Sequence, residues 1–558
     1  MRLFGRLAAL LFWLCIASAL GETPLRPAMQ APDVKIDAPA VTSPPESFFK
    51  MIEERIGNPR RNRSSGAQRD EQKPNPEKIS AEMALYRKFY KKYIDVKGMP
   101  VAAHADVADL ALQRTYEIVT HLLAGRPDIL QAMVSNRTYL IIIGKSQVYT
   151  DMPEYRNHPN PAFQNERVRG TGGNPTSFGE ENLLSLPIDR YDDESIGVHE
   201  FCHTVDSTLR RIDPTWEQRR TAAFENVRTR GLYYQAYAGS NPAEYWAEIA
   251  QSYFDCNRVN NWNHGPVGRR EQLSLYDPMG YELCRSVFNL SREQDWRYQW
   301  LQELPRVSPI PETEMFRSID PWYTKFTWAR EFTVVGRGAT DQALLRANHT
   351  VRRMFAYRHD ILKALIADGV KLVVLGPRES IADLPEYKKL SDRSRIDHTL
   401  RFFTYEPQMK VLVVGQENVL ANPHEMNVGD NQVIRVFADA IYKVAGLRPV
   451  IPDYRGNQQY ELRVKRLDVQ LDSRVTELFQ KTVAANKWQG TASVADKFAY
   501  WTAGVLAYFD AAGQHPAPRN AGHPIDTREA LKEYDSDLYG LVTETMAYEG
   551  HVDWRFSP

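Results

Sequence analysis

Cysteine is scarce. Four in 558 residues are too few for a fold stapled by disulfides. Net charge is missing as well: Lys and Arg total 70, and Asp and Glu total 70. That balance removes the basic excess expected of a nucleic-acid binder and the charge block of a polyacidic or polybasic tail. Beyond residue 20 no run is apolar for the roughly 20 residues that a bilayer crossing needs. Aromatic residues are not lacking, at 11% of the chain, which excludes wholesale disorder. The length suits three or four domains.

Arg2 and Arg6 precede an uncharged run, Leu7 to Leu20, that holds the small-residue pattern Ala17-Ser18-Ala19. Residues 1–21 therefore read as a secretory signal peptide, with an uncleaved anchor as the alternative. A secreted or periplasmic protein with no membrane span after cleavage is expected. Cys15 lies in that leader, so Cys202, Cys256 and Cys284 remain. Residues 22–80 contain Pro24, Pro27, Pro32, Pro39, Pro44, Pro45, Pro74 and Pro76 without apolar periodicity. They read as a disordered Pro-rich linker.

The remaining chain repeats itself. Arg126-Pro127-Asp128-Ile129-Leu130 matches Arg358-His359-Asp360-Ile361-Leu362, and Leu140 to Gly144 matches Leu372 to Gly376, both at a spacing of 232. Glu181-Asn182-Leu183-Leu184 returns as Glu417-Asn418-Val419-Leu420, offset 236. Tyr245-Trp246 and Tyr253-Phe254-Asp255 return as Tyr500-Trp501 and Tyr508-Phe509-Asp510, offset 255. Asp295-Trp296-Arg297-Tyr298 returns as Asp553-Trp554-Arg555-Phe556, offset 258. Order is kept while the offset drifts, as small loop insertions produce. We expect two tandem α+β domains of one fold, residues 81–300 and 330–558, joined by a connector over 301–329. Strands are expected at Thr138–Ile143 and Leu183–Leu186, and helices from about Asp193 and from about Asn241, without βαβ alternation.

His199-Glu200-Phe201-Cys202-His203 is an HExxH sequence. On a helix, positions i and i+4 share a face, so both imidazoles reach one ion. Glu200 lies about 100° round the helix, beside the metal, where it can take the proton of a metal-bound water. A catalytic zinc has three protein ligands and an open position. In Asn241-Pro242-Ala243-Glu244-Tyr245-Trp246-Ala247-Glu248, Asn241 is an N-cap and Pro242 a first helical residue. Glu244 and Glu248 then stand one turn apart on one face. Glu244 is assigned to the metal, and Glu248 to accepting the other N–H of a ligand histidine; the swapped assignment is the alternative.

The stretch His199 to Asp206 resembles the catalytic domain of anthrax toxin lethal factor, a gluzincin-type zinc endopeptidase, and Asn241 to Glu248 resembles its glutamate helix. The resemblance is sharp over residues 199–254. It implies a zincin-like fold, one zinc per chain held by His199, His203 and Glu244, and Glu248 behind the ligands. It also implies that Tyr237, seven residues before Glu244, faces the site with its hydroxyl. Cys202 stands where that family has a small residue, and reads as a buried structural thiol rather than a ligand.

In the second copy His199, Glu200 and His203 fall on Arg435, Val436 and Asp439, while Glu244 and Glu248 fall on Ala499 and Ala503. Tyr237 falls near Ala492. Phe201, Trp246 and Phe254 are kept as Phe437, Trp501 and Phe509. The second copy is therefore expected to fold, to bind no zinc, to contact the first copy, and to fill its vacated site with an Arg435–Asp439 ion pair. Cys256 and Cys284 fall on Ala511 and Val542. Their joint absence marks them as a disulfide candidate, with two free thiols as the alternative. His264, His349 and His551 read as surface or structural. Asn62, Asn136, Asn289 and Asn348 lie in glycosylation sequons. Arg169 to Asn174 reads as an ordinary flexible loop, with a place beside the substrate groove as the alternative.

Two functions fit. The first is a secreted zinc endopeptidase with a peptide or protein substrate, Glu200 as general base and Tyr237 as oxyanion donor. The alternative is a catalytically inactive zinc-binding recognition module.

Overall fold

The computed structural model describes residues 29–57, 75–234, 236–259, 264–394, 396–397, 399–422, 429–446, 458–513, 515–547 and 554–557. The expected leader and His551 lie outside them. No described helix is long and apolar enough to cross a membrane.

The class is α+β. Two helices, α1 (Glu46–Gly57) and α2 (Pro76–Phe89), precede the first sheet. Strands β1 (Lys92–Val96) and β2 (Met99–Ala103) form an antiparallel hairpin. Helices α3 (Asp109–Leu122) and α4 (Pro127–Ser135) then cross over to β3 (Leu140–Ile143), which lies parallel to β2. Strand β4 (Gly170–Thr171) is an antiparallel edge on β5 (Thr176–Gly179), giving the order β1-β2-β3-β5-β4. Helices α5 (Ile196–Ile212) and α6 (Pro242–Tyr253) follow. The crossover from β2 to β3 is a βαβ unit, so the absence of alternation expected from the sequence does not hold.

Every residue of β3 is buried, as suits a strand covered on both faces. Leu140 and Ile142 face the helical core; Ile141 and Ile143 face Phe48, Phe49, Ile52, Tyr86 and Tyr90. The second set corrects the linker reading. Within residues 22–80, α1 and the start of α2 are ordered and supply that covering layer, and Thr42 bridges Tyr93 of β1. The prolines masked a helix whose apolar residues are Phe48, Phe49 and Ile52; residues 58–74 lie outside the description. The connector is likewise structured. Ile310, Phe316 and Ile319 cover the second sheet, and Ser308 bridges Phe326. The expected strand at Leu183–Leu186 is instead the end of a helical turn, Glu180–Leu183, and the strand is β5. A short apolar run does not reveal its own period.

The second half repeats this plan: β6 (Lys325–Ala329), β7 (Phe332–Gly336), β8 (Lys371–Leu375), β9 (Phe402–Phe403) and β10 (Val411–Gly415), in the order β6-β7-β8-β10-β9. Its helices α7 (Asp341–Met354), α8 (His359–Ala367), α9 (Gln432–Ala440) and α10 (Lys497–Tyr508) stand where α3, α4, α5 and α6 stand in the first. The repeat extends to single hydrogen bonds. Asn182 Oδ1 accepts from Ile196 N at 2.8 Å, and Asn418 Oδ1 from Gln432 N at 2.8 Å. Trp246 Nε1 donates to the Cys202 carbonyl at 2.8 Å, and Trp501 Nε1 to the Ala438 carbonyl at 3.0 Å. Arg270 and Arg528 donate to the Tyr253 and Tyr508 carbonyls, each at 2.6 Å.

Two expectations are corrected here. Cys256 and Cys284 are not bridged: both are free and buried, like Cys202. The Cys256 thiol donates to the Gln251 carbonyl at 3.5 Å, and all three sit in the apolar core as small hydrophobes. Burial pushes each thiol above its ordinary pKa, which keeps it inert. Arg435 and Asp439 do lie one turn apart on α9 but do not pair. Arg435 turns back to Asp430, and Asp439 turns forward to Lys443 at 3.2 Å. Asn348 is fully buried and donates to Thr327 Oγ1 at 2.9 Å, which closes that sequon to a glycan.

The two halves meet through charge. The β6–β7 turn carries Arg330 at φ +50° and Glu331 at φ +70°. Left-handed backbone at a non-glycine residue costs about 1–2 kcal/mol. Glu331 bonds Lys363 and lies near Arg190 and His359. Burial alone would raise its pKa, but the charges of Lys363 and Arg190 outweigh burial and hold it at about 2.

Two predictions follow from this packing. Alkylation of the denatured, unreduced chain should label Cys202, Cys256 and Cys284 in peptide mapping; a Cys256–Cys284 peptide recovered without label would contradict free thiols. A carboxylate with a depressed pKa stabilises fully above its unfolded value and loses that contribution as pH falls toward the folded one. The melting-temperature gap between wild type and Glu331→Gln should therefore be constant above about pH 5 and narrow as pH falls toward about 3; a gap that widens with acid would reverse the assignment.

Candidate metal centre

Helix α5 starts where the sequence provides a cap: Ser195 Oγ accepts from Val198 N at 3.3 Å. One turn in, the rings of His199 and His203 meet edge to face, with centroids 4.9 Å apart. Helix α6 is capped by Asn241, whose Oδ1 accepts from Ala243 N and Glu244 N at 2.9 and 3.0 Å. The Trp246–Cys202 bond ties α6 to the middle of α5 and brings Glu244 over the histidines.

Three ligand-type atoms converge. His199 Nε2 and His203 Nε2 are 3.2 Å apart, and Glu244 Oε2 is 3.2 Å from each. A tetrahedral zinc with arms of about 2.0–2.1 Å has edges of about 3.3 Å, so the triangle fits such an ion. His199 Nδ1 donates to Gln251 Oε1 at 2.9 Å, and Gln251 Nε2 donates to the Ser195 carbonyl at 3.0 Å. The second bond fixes the amide orientation, and the first leaves the Nε2 lone pair facing the triangle. His199, His203 and Glu244 are thus brought together as the sequence reading placed them.

Glu248 is close but is not the hydrogen-bond partner expected. Its Oε1 lies 3.6 Å from His199 Nδ1, beyond a hydrogen bond, and Gln251 takes that place. Gln251 escaped the sequence reading although it lies seven residues beyond Glu244, on the same helical face. His264, expected to be surface or structural, has a buried side chain, with its Nε2 3.2 Å from Glu194 Oε2 and 3.5 Å from Glu248 Oε1. Burial lowers its pKa, but Glu248 and Glu194 outweigh burial and raise it to about 9. A protonated His264 with Arg258, 3.4 Å from Glu194, balances the two glutamates, so this trio reads as an ion-pair network. Residue type alone does not reveal it, because His264 lies 16 residues beyond Glu248.

Glu200 is half-buried beside the triangle, and its desolvation there raises its pKa above the ordinary carboxylate value. Tyr237 stacks against His199, with centroids 6.2 Å apart and planes at 20°. Burial, then the Glu244 charge, hold its hydroxyl far above the ordinary phenol range, so it remains a donor. The Arg169–Asn174 segment is not an ordinary flexible loop. Strand β4 runs against α5 so closely that a Cβ on Gly172 would come 2.4 Å from His203 Cβ, and one on Gly170 would come 3.0 Å from Glu200 Cγ. Those glycines let an edge strand lie over the histidine face.

Among the described residues, no His, Cys, Asp or Glu trio able to hold a metal lies in the second half. Comparison with family models and with curated proteins finds no match for the chain.

Gln251→Leu should weaken zinc affinity about 10- to 100-fold, as loss of an orienting partner does, in chelator competition. Unchanged affinity would show that Gln251 does not orient His199.

Proposed function

We propose that the chain is an exported zinc-dependent endopeptidase. The observation that carries this reading is an acid, Glu200, half-buried beside three ligand atoms spaced 3.2 Å apart. A structural zinc has no use for that acid. The resemblance of the two site helices to the lethal factor catalytic domain supports the same reading.

Bound at His199, His203 and Glu244, zinc would supply Lewis acidity, lowering the pKa of a coordinated water and polarising the scissile carbonyl. The rest falls to side chains. Glu200, its pKa raised above the ordinary carboxylate value by desolvation, accepts the proton of the attacking water and delivers it to the leaving amine. Tyr237 donates a hydrogen bond to the oxygen that gains negative charge. Gln251 holds the His199 ring so that Nε2 keeps its lone pair toward the site. Glycines 170 and 172 keep the edge strand close, so an extended peptide can lie along it beside Glu200.

The full chain should bind one equivalent of zinc. Glu200→Gln should retain it while losing about 10²–10⁴-fold in kcat, the range for a general base. Tyr237→Phe should lose about 10²–10³-fold in kcat at nearly constant KM. Loss of zinc in Glu200→Gln would misassign the base. Full zinc occupancy with no hydrolysis of any peptide in a randomised library would instead favour the inactive recognition module.

A further inference from the structure

The segment leading into α5 is gripped by the second half. Asp192 receives both terminal nitrogens of Arg352, one of them at 3.1 Å. Arg352 is itself held in place: its Nε donates to Asn348 Oδ1 at 2.7 Å and its Nη2 to the Trp328 carbonyl at 2.9 Å. Asp193 receives Arg330 at 3.3 Å, and also Arg258 of its own half. Ile188 packs against the core of the second half, and Arg190 lies in the field of Glu331. Arg330 and Glu331 occupy the two left-handed positions of a turn whose counterpart in the first copy is Lys97-Gly98, at φ +50° and +97°. Where the first copy has glycine, the second keeps a charged residue in an unfavourable backbone conformation, and that residue serves the contact.

From this grip a chain of close polar contacts runs to a metal ligand. Arg258 joins Asp193 to Glu194, Glu194 meets His264 at 3.2 Å, His264 meets Glu248 at 3.5 Å, and Glu248 lies 3.6 Å from His199 Nδ1. Asn182 clamps the same segment, bonding the Glu194 carbonyl and Ile196 N, each at 2.8 Å. The corresponding stretch of the second copy is Val428-Gly429-Asp430, which offers one carboxylate in place of three.

We infer that Arg330 and Arg352 of the second copy are positioning residues for the metal centre of the first, acting through Asp192 and Asp193 on the start of α5. The inference rests on the proposed zinc site, not on its being catalytic. A bidentate guanidinium fixes both distance and plane of its carboxylate, which a lysine cannot do. The second copy is then a templating domain. Its retained core supports α7 and the β6–β7 turn, which present the two arginines.

The test uses the full chain, cobalt and zinc. Arg330→Met/Arg352→Met should weaken zinc affinity about tenfold or more in chelator competition and shift the visible spectrum of the cobalt-substituted protein. Arg352→Lys should fall between it and wild type. Asp192→Asn, which leaves the second half untouched, should move both readouts the same way and keeps the test open if the double variant does not fold. The exchange Asp192→Arg/Arg352→Asp should recover part of the loss. Wild-type affinity and an unshifted cobalt spectrum in a folded Arg330→Met/Arg352→Met or Asp192→Asn chain would overturn the inference. Failure of wild type to bind zinc would instead remove the site reading itself. Absence of hydrolysis with normal binding would leave this inference standing and remove only the peptidase.

Discussion

The packing of α6 across α5, fixed where the Trp246 indole donates to the Cys202 carbonyl, sets the geometry of everything at the site. An α5 carbonyl one residue before His203 accepts that bond, so the two helices cannot slide without breaking it. The indole is fully buried, between Trp216 edge-on and Phe288 stacked. Glu244 sits two residues before Trp246, and Asn241 caps the helix so that Glu244 points back over the histidines. Losing the indole would cost about 3–5 kcal/mol in packing and would release the carboxylate from its triangle.

The second half serves as an internal control for this view. It keeps the same bond, from Trp501 to the Ala438 carbonyl, the same asparagine clamp at Asn418, and the same strand order. Among the described residues it holds no trio able to bind a metal. The frame is thus separable from the chemistry: one set of packing residues supports His199, His203 and Glu244 in one copy, and Arg435, Asp439 and Ala499 in the other. The second copy carries charge on its outer turn and on α7, directed at the segment that enters α5.

Much of this was legible in the sequence, because the features involved are local or repeated. HExxH spacing, the Asn241 cap and the paired offsets each depend on residues close together or on recurrence, and α5, α6 and the repeated core emerged from them. The features missed depend on partners far apart. Residues Glu46–Gly57 look like a proline-rich linker until a sheet face exists for Phe48 and Phe49 to cover. Asp192 and Asp193 stand just before α5 in the sequence, yet their charge is met by Arg330 and Arg352, more than 130 residues away. Cys256 and Cys284 are absent together from the second copy, yet both are free thiols in one apolar core. Co-absence reports a shared environment, and a bond is only one kind of it.

The central claim is that two imidazoles and one carboxylate of the first half hold a single zinc with an open position. X-ray absorption at the zinc edge on the full-length protein measures this most directly. The account predicts only nitrogen and oxygen neighbours at about 2.0–2.1 Å, with the multiple-scattering pattern of two imidazoles. A sulfur neighbour at about 2.3 Å would place the metal on Cys202, Cys256 or Cys284 and contradict it.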